Sequence, residues 1–290
     1  MITWRLSCHR GRRYGSVATI KEGTMQTQRA RINSVELEYD LQGTGEPLVL
    51  IHGAQGDRTM FSAIAPQFAA RYHVLTFDQR GSGLSEKPDM VYSMAMLADD
   101  TAALMDHVGF ASAHIVGVSM GGMIAQEFAL RHPHKVRRLV LGCTTPGGPK
   151  SVAVGGGPMA KAYSTEALSA EERGRLLAEA CFTKGYIAQH PEIIPAMIES
   201  RRRRPIDPTA LGHRMKAVFT HNTYDRLAQI TCPTLVITGK DDLLVPWENS
   251  QILAERIAGA KLVLLEPAGH IFWGEQQEKS QKEIMAFLQG

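Results

Sequence analysis

The sequence has no apolar run approaching the roughly 18 residues that a membrane-spanning helix requires, so a helical bilayer span is excluded. Its four cysteines, Cys8, Cys143, Cys181 and Cys232, form no C-x-x-C pair. That removes a zinc cluster and a thioredoxin-like redox motif, and leaves buried free thiols as the simpler reading. No apolar stretch near the N-terminus is long enough for a secretory signal, and no Asn-x-Ser/Thr acceptor occurs. Both absences favour a reducing interior compartment, read here as cytoplasmic. A strong charge of either sign is missing too. The formal net charge is +3, and the basic excess sits in residues 1–24, where Arg5, Arg10, Arg12, Arg13 and Lys21 face Glu22 alone. The nearly neutral remainder has no general field with which to gather nucleic acid or anionic lipid.

What is present is ordinary for a folded domain: 44% hydrophobic and 21% charged residues over 290 positions, which excludes disordered, collagenous and coiled-coil classes. Residues 1–24 are the exception. They are Arg-rich, acid-poor and without periodicity, and are expected to form a disordered basic extension. The same composition would suit a mitochondrial transit peptide, although an inert extension is the simpler account.

From residue 29 onward, short β-rich runs alternate with amphipathic stretches. The runs are 35–41, 47–51, 73–77, 114–118, 136–141, 234–238 and 261–265, and most of the later ones are continuously apolar, as strands covered on both faces must be. Helical spacing marks 97–108, 123–130, 252–257 and a closing helix over 275–288. This alternation predicts an α/β fold with a doubly wound, mostly parallel sheet. It stops between about 144 and 226, where a turn-rich opening containing Gly155, Gly156 and Gly157 leads into helical stretches over 167–180 and 193–203. The expected organisation is a core of 25–143 and 227–290 with a helical cap, 144–226, inserted between two strands.

Gly117-Val118-Ser119-Met120-Gly121 follows an apolar strand and opens a helix. A strand turning sharply into a helix crowds the positions two before and two after the turn, which explains glycine at 117 and 121. It also presents Ser119 at the carboxyl edge of the sheet, with the Met120 amide at a helix N-terminus able to stabilise an oxyanion. A serine hydroxyl needs a base, and the base needs an acidic partner. Both candidates lie just past later strands: Asp241 and Asp242 after 234–238, and His270 after 261–265.

The order Ser, Asp, His resembles that of the α/β-hydrolases, and the resemblance extends from about residue 29 to the end. His52-Gly53-Ala54 matches the family's first oxyanion turn, which implies the Ala54 amide as a second donor beside Met120. Residues 78–85, DQRGSGLS, match a turn common among its small-molecule hydrolases, and 270–275 resemble its histidine loop. The spacing G-x-x-D-x-x-V-P places the acid at Asp242, with Asp241 retained as a shift in the local turn. The implied triad is Ser119, Asp242 and His270, acting without metal or organic cofactor on a small-molecule substrate. The stretch 119–126 is similar to those of enol-lactonases and bacterial carboxylesterases, so the expected reaction is hydrolysis of a small carboxylic ester or lactone through an acyl-enzyme. Related triads serve carbon-carbon bond hydrolases, perhydrolases and a few lyases, and a ligand-sensing receptor that keeps the pocket is the alternative of another class.

Phe61, Met123, Trp247, Phe272 and Trp273 flank the catalytic loops and are candidates for an apolar substrate pocket, although core packing explains most of them equally well. His52 reads as a structural histidine shaping its turn. Asp78 and Arg80 read as a turn-stabilising pair. Arg201, Arg202, Arg203 and Arg204 invite comparison with a carboxylate clamp, but successive helical residues point in different directions, so no more than one or two can face a site.

Overall fold

The computed structural model describes residues 27–154, 161–162 and 168–290. The basic extension 1–24 and Gly155–Gly157 lie outside them. Eight strands form one sheet: β1 (Gln28–Ile32), β2 (Val35–Gln42), β3 (Glu46–Ile51), β4 (Tyr72–Phe77), β5 (Ala113–Val118), β6 (Val136–Gly142), β7 (Thr234–Gly239) and β8 (Lys261–Leu265). Their spatial order is β1-β2-β4-β3-β5-β6-β7-β8. The β1–β2 and β2–β4 pairings are antiparallel and the rest parallel.

Two-residue periodicity divides each central strand between two cores. In β3, Val49 and Ile51 join one apolar cluster while Leu48 and Leu50 join the other; β5 divides Ile115 from Val116 and Val118 in the same way. Helices α2 (Met94–His107) and α3 (Met120–Arg131) cover the first face, and α1 (Ala65–Ala69) lies on the second. Parallel neighbours need such crossovers. Seven of the eight strands coincide with the apolar runs to within a residue or two. The missed strand, β1, is a polar edge strand, QRARI, joined to β2 by a tight turn in which Asn33 and Ser34 both have positive φ. A two-residue turn between alternating segments was its available signal.

The stretch between β6 and β7 includes the helices α4 (Ala170–Cys181), α5 (Lys184–Gln189), α6 (Ile193–Arg203) and α7 (Pro208–Thr220). Ser169 and Glu172 form a reciprocal capping box that starts α4. Among the described residues this stretch adds no strand to the sheet, only an isolated bridge between Gly147 and Asn222. After β7 come α8 (Glu248–Arg256), α9 (Phe272–Glu275) and α10 (Gln277–Gln289). The closing helix expected over 275–288 is α10, which begins two residues later because Gln276, with φ −119° and ψ 48°, leaves the helical region and separates it from the short α9.

Candidate active site

The turn from β5 into α3 is held by contacts that tolerate no extra atoms. A Cβ added at Gly121 would meet the Ile51 carbonyl oxygen at 2.0 Å, and one at Gly117 would meet the Gly121 carbonyl oxygen at 2.2 Å. Between them Ser119 adopts φ 57° and ψ −124°, a conformation that costs a non-glycine residue on the order of 1–3 kcal/mol. The neighbouring structure enforces it. Ser119 N–H donates to the Gly142 carbonyl at 2.8 Å, and the Thr144 hydroxyl donates to the Ser119 carbonyl at 2.7 Å. Met120, as the first residue of α3, has an amide with no partner inside its helix.

Asp242 and His270 meet across the loops after β7 and β8. His270 Nδ1 lies 2.7 Å from Asp242 Oδ2, while the Leu244 and Val245 amides donate to Asp242 Oδ1 at 2.8 and 2.9 Å. The neighbouring Asp241 accepts from the Ala268 amide at 3.3 Å instead. Of the two competing aspartates, the imidazole partner is Asp242. Burial alone would lower the His270 pKa, but the adjacent Asp242 carboxylate raises it well above the ordinary value. The loop is braced by Glu275, which accepts from the Gly269 amide at 2.8 Å and from the Thr183 hydroxyl at 2.6 Å.

Ser119 and His270 line a single cavity of about 190 Å³, together with Ala54 and Met120. Of the aromatic and methionine candidates, Met123 and Trp273 line it as well. Phe61, Trp247 and Phe272 do not. Phe61 and Phe272 are buried in the core beneath the sheet, and Trp247 is half-buried at the start of α8. In the histidine loop Ile271 and Trp273 face the cavity, so the intervening Phe272 points the other way. Sequence reasoning missed the contributions of the helical stretch: Leu177, Met197, Met215 and Val218. Which face of such a helix meets the site is a tertiary fact, although the four-residue spacing of Met197 and Arg201 was a usable sign that they share one.

His52 is fully buried; its Nδ1 is 2.8 Å from the Gly53 carbonyl, and its Nε2 accepts from the Gln79 amide at 3.4 Å. That pattern fixes the neutral tautomer with Nδ1 protonated, and burial lowers its pKa in the same direction. Asp78 and Arg80 are not a pair. Asp78 accepts from Arg58 Nη1 at 2.7 Å and from the Arg58 and Leu84 amides, both at 2.8 Å, whereas Arg80 donates to Asp100 at 2.6 and 2.8 Å. Two residues apart on an irregular turn, their side chains diverge and each finds its own buried partner.

Cys143, Asp242 and His270 offer a sulfur, an oxygen and a nitrogen mutually within 4.8 Å, the spacing a metal ion would need. Both Asp242 oxygens are already hydrogen-bonded, and burial raises the Cys143 pKa, which disfavours the thiolate a metal would require.

Residues 46–275 match the family described as alpha/beta hydrolase fold. The chain belongs to that family. It is an enzyme of the hydrolytic kind. RutD of Azorhizobium caulinodans, assigned by name as a carbamate hydrolase, is 29% identical over 250 residues, spanning 82% of this chain and 89% of its own. A poly(3-hydroxyalkanoate) depolymerase of Ectopseudomonas oleovorans is 28% identical, spanning 84% of each chain. The crystal structure of an enol-lactonase from Burkholderia xenovorans superposes with a TM-score of 0.80 at 25% identity, covering 91% of this hydrolase and 100% of that chain. No described helix is long and apolar enough to cross a membrane.

Proposed function

We propose that this alpha/beta hydrolase cleaves a small carboxylic ester or lactone through an acyl-enzyme on Ser119, with residues 144–226 as a cap over the site. The observation that carries this reading is the Asp242–His270 pair, set beside a strained, cavity-lining serine at a helix N-terminus. In the proposed reaction His270 takes the Ser119 proton as Oγ attacks the carbonyl, and the carbonyl oxygen becomes an oxyanion facing the Ala54 and Met120 amides. His270 then returns the proton to the leaving alcohol. In the second half-reaction it deprotonates a water that attacks the acyl-enzyme, and the carboxylic acid departs with Ser119 restored.

The apolar walls support a substrate with a hydrocarbon acyl chain. An enol-lactonase and a polyester depolymerase among the similar proteins point to the same bond type, while RutD makes a carbamate the competitor to test. The experiment is turnover of 4-nitrophenyl esters, lactones, a carbamate and a vinylogous diketone by the wild type and Ser119→Ala. Esters or lactones should be the best substrates, with the variant losing more than about a thousandfold. Exclusive turnover of the carbamate or the diketone would replace the proposed substrate class. A loss under tenfold in Ser119→Ala would remove the mechanism.

A further inference from the structure

The four consecutive arginines at the end of α6 have different surroundings. Arg202 and Arg203 donate to Glu199 on the same helix at 2.8 and 2.6 Å, and Arg204 pairs with Asp57 at 3.3 Å. Arg201 alone of the four lines the cavity that holds Ser119 and His270. It lies one helical turn beyond Met197, on the same face of α6. Its Nη1 donates to the Gln55 carbonyl at 3.0 Å, a neutral acceptor, and no carboxylate of the described residues pairs with it.

The chemistry of the remaining lining makes this cation conspicuous. Apart from His270, every other side chain of the described residues on the cavity wall is neutral, and five are methionines: Met60, Met120, Met123, Met197 and Met215. A guanidinium has five N–H donors in a planar fork that fits a carboxylate with two parallel bonds. Such a bond is worth more in an apolar cavity than in water, because the field is less screened there. The Gln55 contact orients the fork, while the thioether walls adapt to a flexible chain. Arg201 also borders a neighbouring cavity of about 500 Å³, so a substrate reaching past Ser119 has room to extend towards it.

We propose that Arg201 is a specificity-determining residue that binds a carboxylate at the far end of the substrate, making the preferred substrate an ester or lactone that carries a remote carboxylate. The inference rests on the serine mechanism above and adds the charge of the substrate to it.

The test compares two 4-nitrophenyl esters of similar length, the adipic monoester, which ends in a carboxylate, and the heptanoate, which does not. The readout is the ratio of their kcat/KM values in the wild type, Arg201→Met, Arg201→Lys and Arg203→Met. The wild type should favour the anionic ester at least tenfold. Arg201→Met should reduce that ratio at least tenfold, mainly through KM, with Arg201→Lys in between and Arg203→Met matching the wild type. A structural role for Arg201 as a brace on Gln55 would lower both esters together and leave the ratio unchanged, which overturns the proposal, as does an equal shift in Arg203→Met. A second readout holds if neither ester is turned over: millimolar adipate should slow fluorophosphonate labelling of Ser119 in the wild type and not in Arg201→Met, and no protection in the wild type overturns the proposal. Turnover that survives Ser119→Ala defeats the mechanism itself. Ser119-dependent turnover indifferent to Arg201 defeats only this inference.

Discussion

Replacing Asp242 with asparagine isolates the charge beside His270 while keeping the side chain's shape. The two amide bonds to Oδ1, from Leu244 and Val245, survive. At the other position an NH2 group replaces the oxygen that faces His270 Nδ1 at 2.7 Å, so the imidazole must take the tautomer with Nδ1 unprotonated. Its Nε2 then carries a proton and cannot accept one from Ser119. The expected loss in kcat is on the order of ten thousandfold, or about 5.5 kcal/mol at 1.36 kcal/mol per decade.

The pH dependence follows from the same pair. Because Asp242 raises the His270 pKa well above its ordinary value, the ascending limb of the wild-type pH–rate profile should lie to the alkaline side of free imidazole, and that of Asp242→Asn should move to lower pH. A pKa raised in the folded state contributes stability that is fully present below the unfolded histidine value of about 6.5 and is lost as pH rises through the folded value. The Tm difference between wild type and Asp242→Asn should therefore be largest near pH 5.5 and shrink towards alkaline pH. Stopped ester assays and thermal melts across that range measure both effects. A variant with unshifted limb and undiminished kcat would refute the reasoning.

Two other perturbations have calculable directions. Arg58 sits in a buried cluster, donating to Glu38, Asp40 and Asp78 at 2.6–2.7 Å with 5% of its side chain exposed. Arg58→Met takes the shared buried cation from three carboxylates, of which Glu38 keeps Arg29 at 3.0 Å and Asp78 keeps two amides, and should cost about 3–5 kcal/mol. That corresponds to a fall in Tm of about 10 °C for a chain of this size, read by calorimetry, and a change under 2 °C would contradict it. Glu275→Ala removes the acceptor shared by Gly269 and Thr183, freeing the histidine loop from α4's exit. It should lower kcat by about tenfold through misplacement of His270 while leaving the pH profile in place, and a shifted profile would argue against a purely positional role.

The parts legible in the sequence were those whose local pattern and tertiary role coincide. Strand β5 reads as AHIVGV because both its faces are covered, so burial alone writes a continuous apolar run. Ser119 was legible because the Gly117 and Gly121 contacts leave no room for other residues. Strand β1 was not, since an edge strand is paired on one side only and its polar residues meet solvent. The pocket was partly hidden for a related reason. Phe61 and Phe272 are near the site in sequence yet point into the core, and Met197, Met215 and Arg201 reach it from helices whose facing depends on how the stretch after β6 packs back over the sheet. The separation of Asp78 from Arg80 depends likewise on Arg58 and Asp100, which no local motif names.

The most direct test of the serine mechanism is to treat the enzyme with one equivalent of a fluorophosphonate and map the adduct by peptide mass spectrometry. The account predicts a single adduct on Ser119, absent in Ser119→Ala and slowed by orders of magnitude in His270→Ala. An adduct on another residue, or labelling of Ser119 at full rate without His270, would contradict it.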